Sequence, residues 1–476
     1  MTARVYDVIV IGAGPTGENV AARTVRGGLS TVIVESELVG GECSYWACMP
    51  SKALLRSPQA LAAARAVDGA RQGASGALDA AAVLARRDRF ASHWKDDGQV
   101  QWLDATRIDL VRGHGRLAGA RRVAVTTADG TVVELIARHA VVLATGTRAA
   151  MPPIPGLAEA KPWTSREATS AKAAPRRLVV LGGGVVACEM ATAWHALGTT
   201  EVTILQRAPR LLPTTEAFAG ELLAAAFAER GITVRVNAHT TRVAQVDGAV
   251  VATLADGARF TADQILVATG REPNTHDVGL DTIGLPAGGW LAVDPSLRVT
   301  AVADGWLYAA GDLNRRALLT HMGKYQARAC GDVIAARAAG TADTSATPWS
   351  AHADTADDAA VPQVVFTEPE IAAVGLSEEE ARRRGLRVRA VDYEIGNVAG
   401  ARLYADGYAG RARMVVDEDR RVIVGMTLVG PAVGEMIHAG TIAIVGAVPL
   451  ERLWHAVPSY PTISELWLRL LETYGL

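Results

Sequence analysis

The sequence predicts an α/β chain built on parallel sheets. Three observations predict it. Strand-length apolar runs alternate with helix-length stretches; a strand, glycine turn, helix and strand occur in that order twice, well separated along the chain; and a block with its own strands and apolar helices follows the second copy. Strands separated by helices of this length pair in parallel. The 476 residues exceed one domain's usual size, and 49% apolar against 21% charged residues suffices for sizeable cores.

Tyr6–Ile11 reads as the first strand, followed by a glycine turn, a helix to about Arg26 and a second strand at Thr31–Glu35. An Ala/Arg-rich helical region covers about Pro58–Gln99, short alternating strands come next, and Met151–Gly156 is rich enough in proline to act as a linker. The layout then returns: a strand at Arg177–Leu181, a glycine turn, a helix to about Leu197, and a strand at Glu201–Gln206. Residues 340–360 lack periodicity and read as a flexible connection. In the last block, Arg411–Val416 and Val422–Val429 are strand-like, and Met436–Gly446 and Ser464–Tyr474 are apolar helices.

Charge and cysteine usage narrow the function. A net charge of −2 offers no basic field for nucleic acid or acidic membranes. No apolar run is long enough to read as a membrane span. The N-terminus enters a strand at once with no signal-peptide layout, so a cytoplasmic protein is expected. Four cysteines, Cys43, Cys48, Cys188 and Cys330, are too few for a disulfide framework. In reducing cytosol, a close cysteine pair is catalytic or metal-binding before it is structural. Zinc needs a second pair, which is missing, so no metal site is expected.

Gly12-Ala13-Gly14-Pro15-Thr16-Gly17 stands between strand and helix. Gly12 permits the tight turn, Gly14 lets backbone approach a pyrophosphate, and Gly17 lets helix and sheet pack closely. The helix start supplies N–H groups for phosphate. Glu35 ends the next strand, at the place where an acid binds ribose hydroxyls. A dinucleotide site follows. The second copy, Gly182-Gly183-Gly184 with Ala187 in third place, lacks that acid: Gln206 stands there, and Arg207 and Arg210 follow. An acid replaced by guanidinium groups suits a 2′-phosphate, hence NADP over NAD. Between the copies runs Gly40-Gly41-Glu42-Cys43-Ser44-Tyr45-Trp46-Ala47-Cys48-Met49-Pro50-Ser51-Lys52, where a helix start and a lysine can lower a thiol's pKa.

The cysteine segment, set between two glycine fingerprints, resembles the class I pyridine nucleotide–disulfide oxidoreductases, which include dihydrolipoamide dehydrogenase, glutathione reductase and mercuric reductase. Ala144-Thr145-Gly146, Ala268–Asn274 with Gly270, Tyr308–Asp312 and Pro461-Thr462-Ile463-Ser464-Glu465 extend the resemblance over nearly the whole chain. It implies two Rossmann-like dinucleotide-binding domains plus a C-terminal α+β dimerisation domain. The expected limits are 1–150 for the FAD-binding domain, 151–275 for the NAD(P)-binding domain, 276–345 for a central segment completing the FAD domain, and 358–476 for the dimerisation domain.

The resemblance also implies roles. FAD would occupy the first glycine site, with Gly41, Glu35 and Asp312 about it, and NADPH the second. Cys48 would lie by the flavin, Cys43 would exchange with substrate, and Lys52 and Glu189 would form the ion pair beside the flavin. The active site would be shared across a homodimer. Cys188 and Cys330 match no redox position and read as packing residues.

One departure bears on the acceptor. Disulfide-reducing members carry a histidine base ahead of the C-terminal glutamate; aligning on Pro-Thr-x-Ser-Glu places Tyr460 there, and His455 stands too early in the segment. A phenol with pKa near 10 replaces an imidazole near 6.5, so exchange with lipoamide or glutathione should be poor. Mercuric reductases resemble this chain in that tyrosine but end in a cysteine pair that Leu471–Leu476 lacks, so mercury reduction is not the expected main role. The expectation is electron transfer from NADPH to a small-molecule acceptor: a quinone, a dye, a metal ion or an unusual disulfide. The alternatives are a dihydrolipoamide dehydrogenase rescued by His455, a mercuric reductase-like enzyme, a transhydrogenase, and a flavoprotein serving only as an interaction subunit.

Overall fold

The structure, a computed structural model, describes residues 3–341 and 345–476. Part of the connection expected at 340–360 thus falls on 342–344, outside the described residues. The chain forms two compact units, each assembled from three chain segments.

The first unit comprises 1–49, 88–148 and 271–358. Its sheet has the order Asp109–Arg112, β2 (Thr31–Glu35), β1 (Arg4–Ile11), Val132–Leu143, Arg122–Thr126, His114–Leu117, and Leu307–Ala309 joins parallel to Val132–Leu143. The strands from Asp109 to Val132 in that order are parallel. Val8, Ile9 and Val10 are fully buried because a parallel sheet is covered on both faces. Helix α1 (Pro15–Arg26) leaves the tip of β1 through the glycine turn. Gly12 there has φ +101, and a Cβ on it would meet the Ala144 carbonyl oxygen at 2.5 Å. A Cβ on Gly17 would lie 1.9 Å from the Gly12 oxygen, so neither position accepts a side chain.

The second unit comprises 50–87, 149–270 and 359–476. It holds a four-stranded parallel sheet, Thr233–Arg235, Glu201–Leu205, Arg177–Leu181 and Gln264–Val267, and a three-stranded antiparallel sheet over Thr240–Ala262. Its C-terminal portion is a five-stranded antiparallel sheet, Pro362–Val365, Glu370–Gly375, Val422–Gly430, Arg411–Asp417 and Val388–Glu394, with helices Val433–Val445 and Leu466–Tyr474 packed in its core. This is the α/β architecture with a C-terminal α+β portion that the sequence predicts. The second strand of the second copy stops at Leu205, one residue before Gln206, and the helix expected from Met436 starts at Val433, where Gly434 hides its apolar period. Cys188 and Cys330 are fully buried in separate cores. Among the described residues no helix is long and apolar enough to cross a membrane.

One buried polar network in the first unit has a pH signature. Gln326, fully buried, accepts the Gly311 N–H (2.7 Å) and an Asn314 amide N–H (2.8 Å) and donates to Asp357 (2.5 Å). Asp354, paired with Arg316, is the neighbouring carboxylate. Burial, with the Asp354 charge adding to it, pushes the Asp357 carboxyl up to about 7. A raised folded value means that stability is full below the unfolded carboxyl pKa near 3.9 and is lost as pH rises toward 7. Asp357→Asn should therefore raise the thermal midpoint more at pH 8 than at pH 5. An equal difference at both pH values would exclude a proton on Asp357.

Candidate active site

In the first unit, the expected flavin residues converge. Gly14 caps the start of α1, where no side chain takes the first-turn N–H groups. Gly41 opens helix α2 (Gly41–Tyr45), and a Cβ on it would sit 2.7 Å from the Gly14 Cα, so the two loops touch. Glu35 Oε2 accepts the Ala13 N–H and Oε1 accepts the Glu37 N–H, both at 2.7 Å. Burial raises its carboxyl. Each of its oxygens keeps lone-pair capacity for a hydroxyl. Thr145 and Asn274 exchange hydrogen bonds at 2.8 and 2.9 Å, and Asn274 N–H donates to the Gly146 carbonyl. Asp312, whose carboxyl burial raises, accepts from Thr147 Oγ1 at 2.7 Å. An open helix start, a hydroxyl-binding acid and a second buried carboxyl on converging loops fit a flavin dinucleotide.

The cysteines sit beside these loops. Cys43 lies in α2 and Cys48 begins α3 (Cys48–Arg65); both are thiols in the structure. Cys48 Sγ is 3.2 Å from Thr320 Oγ1 at the start of the helix Thr320–Ala338. The Cys43 thiol is pushed far up, first by its hydrogen bond with Cys48, then by burial and by negative charge on Cys48; Thr320 and the Lys324 ammonium act against this. When Cys48 carries the charge, the proton therefore stays on Cys43.

Sequence reading missed Thr320, Lys324 and three others. Glu18, in the first turn of α1, has its carboxyl pushed up to about 7 by burial against the opposing Lys324 charge. Arg271 donates to Thr147 Oγ1 (2.6 Å) and to Glu42, tying the residue before Cys43 to the Asp312 loop. Trp94 donates to the Tyr45 carbonyl. Only Arg271 carried a signal, as part of the Ala268–Asn274 motif.

In the second unit, Gly182 forms the turn, Gly184 caps Val185–Ala196, Ala187 is fully buried in its first turn, and Gly270 closes the segment. A Cβ on Gly184 would meet open space, which leaves room for a pyrophosphate. Gln206 donates to the Arg210 carbonyl (3.2 Å), and Arg210 turns back to the carbonyls of Pro213 (2.9 Å) and Thr215 (3.2 Å). Arg207 is exposed, so of the two arginines it is the one projecting to solvent. Lys52 and Glu189 form an ion pair at 2.7 Å; Glu189, nearly fully buried, also accepts the Phe366 N–H at 3.0 Å, and the Lys52 ammonium lies 4.9 Å from the Phe366 ring. Tyr460 is 76% exposed and His455 is exposed. Glu465 is buried, with Oε1 taking Arg469 at 2.5 Å and Oε2 finding no hydrogen bond among the described residues. No cluster of three His, Cys, Asp or Glu able to hold a metal occurs among the described residues.

Comparisons with known proteins agree with this geometry. Residues 6–328 match the family described as pyridine nucleotide-disulphide oxidoreductase, and 361–470 match its dimerisation domain. A dihydrolipoyl dehydrogenase of Thermus scotoductus is 32% identical over 469 residues, 97% of this chain and 96% of that one. A mercuric reductase of Shigella flexneri is also 32% identical over 469 residues, 96% of this chain and 79% of that one. LpdA from Mycobacterium tuberculosis shares the fold with a TM-score of 0.82 at 25% identity, with 100% of each chain covered. The HOCl-induced flavoprotein disulfide reductase RclA from Escherichia coli, solved as a Cu(II) complex, has a TM-score of 0.83 at 23% identity over 99% of each chain, a likeness of fold. Because these matches span both glycine turns, the cysteine pair and the C-terminal sheet, the chain belongs to the pyridine nucleotide-disulphide oxidoreductase family.

Proposed function

We propose that this enzyme is an FAD-containing homodimer that carries electrons from NADPH, by way of Cys43 and Cys48, to an acceptor other than lipoamide or glutathione disulfide. A quinone is the leading candidate; a dye, a metal ion or an unusual disulfide belongs to the same class of acceptor. Tyr460 carries this reading, since a phenol stands where the disulfide-reducing relatives place their base.

FAD supplies the step between a hydride from the nicotinamide and the electron pair of the cysteines. Gly12, Gly14, Gly17, Gly41, Glu35, Thr145, Gly146 and Asp312 would hold it, and Lys52 with Glu189 matches the family's ion pair beside it. Closing the Cys43–Cys48 bond gives up two electrons and the Cys43 proton; a quinone takes these up together with a second proton from water as a hydroquinone. The Thr320 hydroxyl supports charge on Cys48, and that charge keeps Cys43 protonated until exchange. Residues 1–150 and 276–345 are assigned to FAD, 151–275 to NADPH and 358–476 to dimerisation, in a cytoplasmic enzyme.

Gln206 and the exposed Arg207 support NADPH as donor, because a guanidinium can pair a 2′-phosphate bidentately where a carboxylate would repel it. Arg210, engaged with its own loop, contributes less, so Arg207→Ala should erode the NADPH advantage more than Arg210→Ala. The test is NADPH and NADH consumption against lipoamide, glutathione disulfide, quinones and Hg(II). Quinones should turn over fastest, with the higher kcat/KM for NADPH. Fast lipoamide turnover with NADH would overturn both parts.

A further inference from the structure

Three successive residues, none of them glycine, hold left-handed backbone in the first unit: Ser92, His93 and Trp94, with φ of 48, 51 and 56. A side chain at such a φ costs energy, and three in a row persist only where the surroundings over-determine them. The turn is closed by Trp94 N–H to Ala91 O and Lys95 N–H to Ser92 O. What it holds is the segment bearing Cys43. Trp94 Nε1 donates to the carbonyl of Tyr45, the last residue of α2, at 3.2 Å, and so satisfies a helix-end carbonyl that α2, at one turn, cannot pair within itself. Tyr45 is fully buried, and its hydroxyl donates to Val39 O at 2.8 Å and lies 3.5 Å from Lys95 O. Asp96, next in the chain, accepts the Val39 N–H at 2.7 Å and is itself held by Arg112 at 2.5 Å. The segment before Cys43, the residue two after it and the strained turn thus form one hydrogen-bonded clamp.

We propose that the left-handed turn Ser92–Trp94 is a positioning element for the redox pair: Trp94 and Tyr45 fix α2 so that Cys43 is presented to Cys48. This rests on the reading of Cys43 and Cys48 as the redox pair. Only Trp46 and Ala47 lie between α2 and α3, so the orientation of α2 decides how readily the two sulfurs meet. A fixed approach raises the effective concentration of one thiol at the other and favours the disulfide. Loosening α2 should therefore make the disulfide easier to reduce.

The test equilibrates the purified FAD-loaded protein in buffers of reduced and oxidised glutathione. Two Cys S–H bonds and one glutathione S–S bond are exchanged for the Cys43–Cys48 bond and two glutathione S–H bonds. Unfolding, alkylation and mass measurement then count protected thiols. Trp94→Phe keeps an aromatic ring and removes the N–H; Tyr45→Phe removes the hydroxyl. Each should shift the equilibrium about 3- to 10-fold toward the dithiol, roughly 15–30 mV for a two-electron couple. Trp102→Phe, an exposed indole on the helix Asp97–Thr106, should match the wild type. Wild-type potential in both clamp variants would overturn the proposal, as would an equal shift in Trp102→Phe. If Trp94→Phe loses its thermal transition, Tyr45→Phe decides alone. A wild type that never protects two thiols would instead refute the redox-pair reading, so the two failures are distinct.

Discussion

Tyr460→His should raise lipoamide and glutathione disulfide turnover by about 10-fold or more relative to quinone turnover, toward the roughly 10²–10⁴ that a positioned general base contributes. At pH 7 an unperturbed phenol is ionised in about one molecule per thousand, so using it as a base costs about 4 kcal/mol. An imidazole removes most of that cost. Glu465 matches the family's orienting acid; its Oε2 is buried and makes no hydrogen bond among the described residues, while Oε1 is committed to Arg469. Quinone turnover is the internal reference, because a quinone can take electrons without a proton being drawn from a mixed disulfide. His455→Ala completes the set. That side chain is exposed, and losing it should leave disulfide turnover where it was. Rapid wild-type lipoamide turnover would show that Tyr460 is no obstacle.

On the proposed roles, replacing Cys43 or Cys48 should abolish disulfide turnover, and the two variants should differ in colour. Reduced wild type should show the long-wavelength absorbance that a thiolate lends to a neighbouring flavin, and Cys48→Ser should lose it. Cys43→Ser should show it without reduction, because Cys48 then has no thiol with which to close a disulfide and keeps Thr320 at 3.2 Å. Lower pH should bleach the band in Cys43→Ser as the thiolate takes a proton. Identical spectra from the two variants would exchange or remove the assigned roles.

The parts of this site that were legible are those governed by local chain geometry. A turn that leaves no room for a side chain demands glycine at Gly12 and Gly17, and an acid at the tip of the next strand is placed by strand length alone, so Glu35 could be read from spacing. Thr320 and Lys324 reach the cysteines, and Trp94 the helix that bears Cys43, only through tertiary approach from other parts of the chain, and they carry no pattern of their own. Arg210 shows the opposite limit. Residue type suggested a phosphate partner, but the side chain satisfies carbonyls of its own loop, and orientation is not written in composition. The strained turn was invisible for a further reason: neither Ser nor Trp favours left-handed backbone, so only packing sets a run that includes both.

The sheet of the first unit also constrains how the protein can be made. Leu143 sits at the end of a strand that pairs in parallel with β1 and, on its other side, with Leu307–Ala309. On a ribosome, Leu307–Ala309 is synthesised only after the whole second glycine-turn segment has emerged. At roughly 5–20 residues per second, the strand edge waits about 10–30 s for its neighbour. An unpaired edge of that duration is a template for pairing with other nascent chains. The contact is also long in sequence, which slows closure even once the chain is complete. Expression yield should therefore respond to translation rate and to chaperone supply more than to the stability of the finished enzyme, and cutting the gene before Leu307 should give insoluble product rather than a smaller working domain.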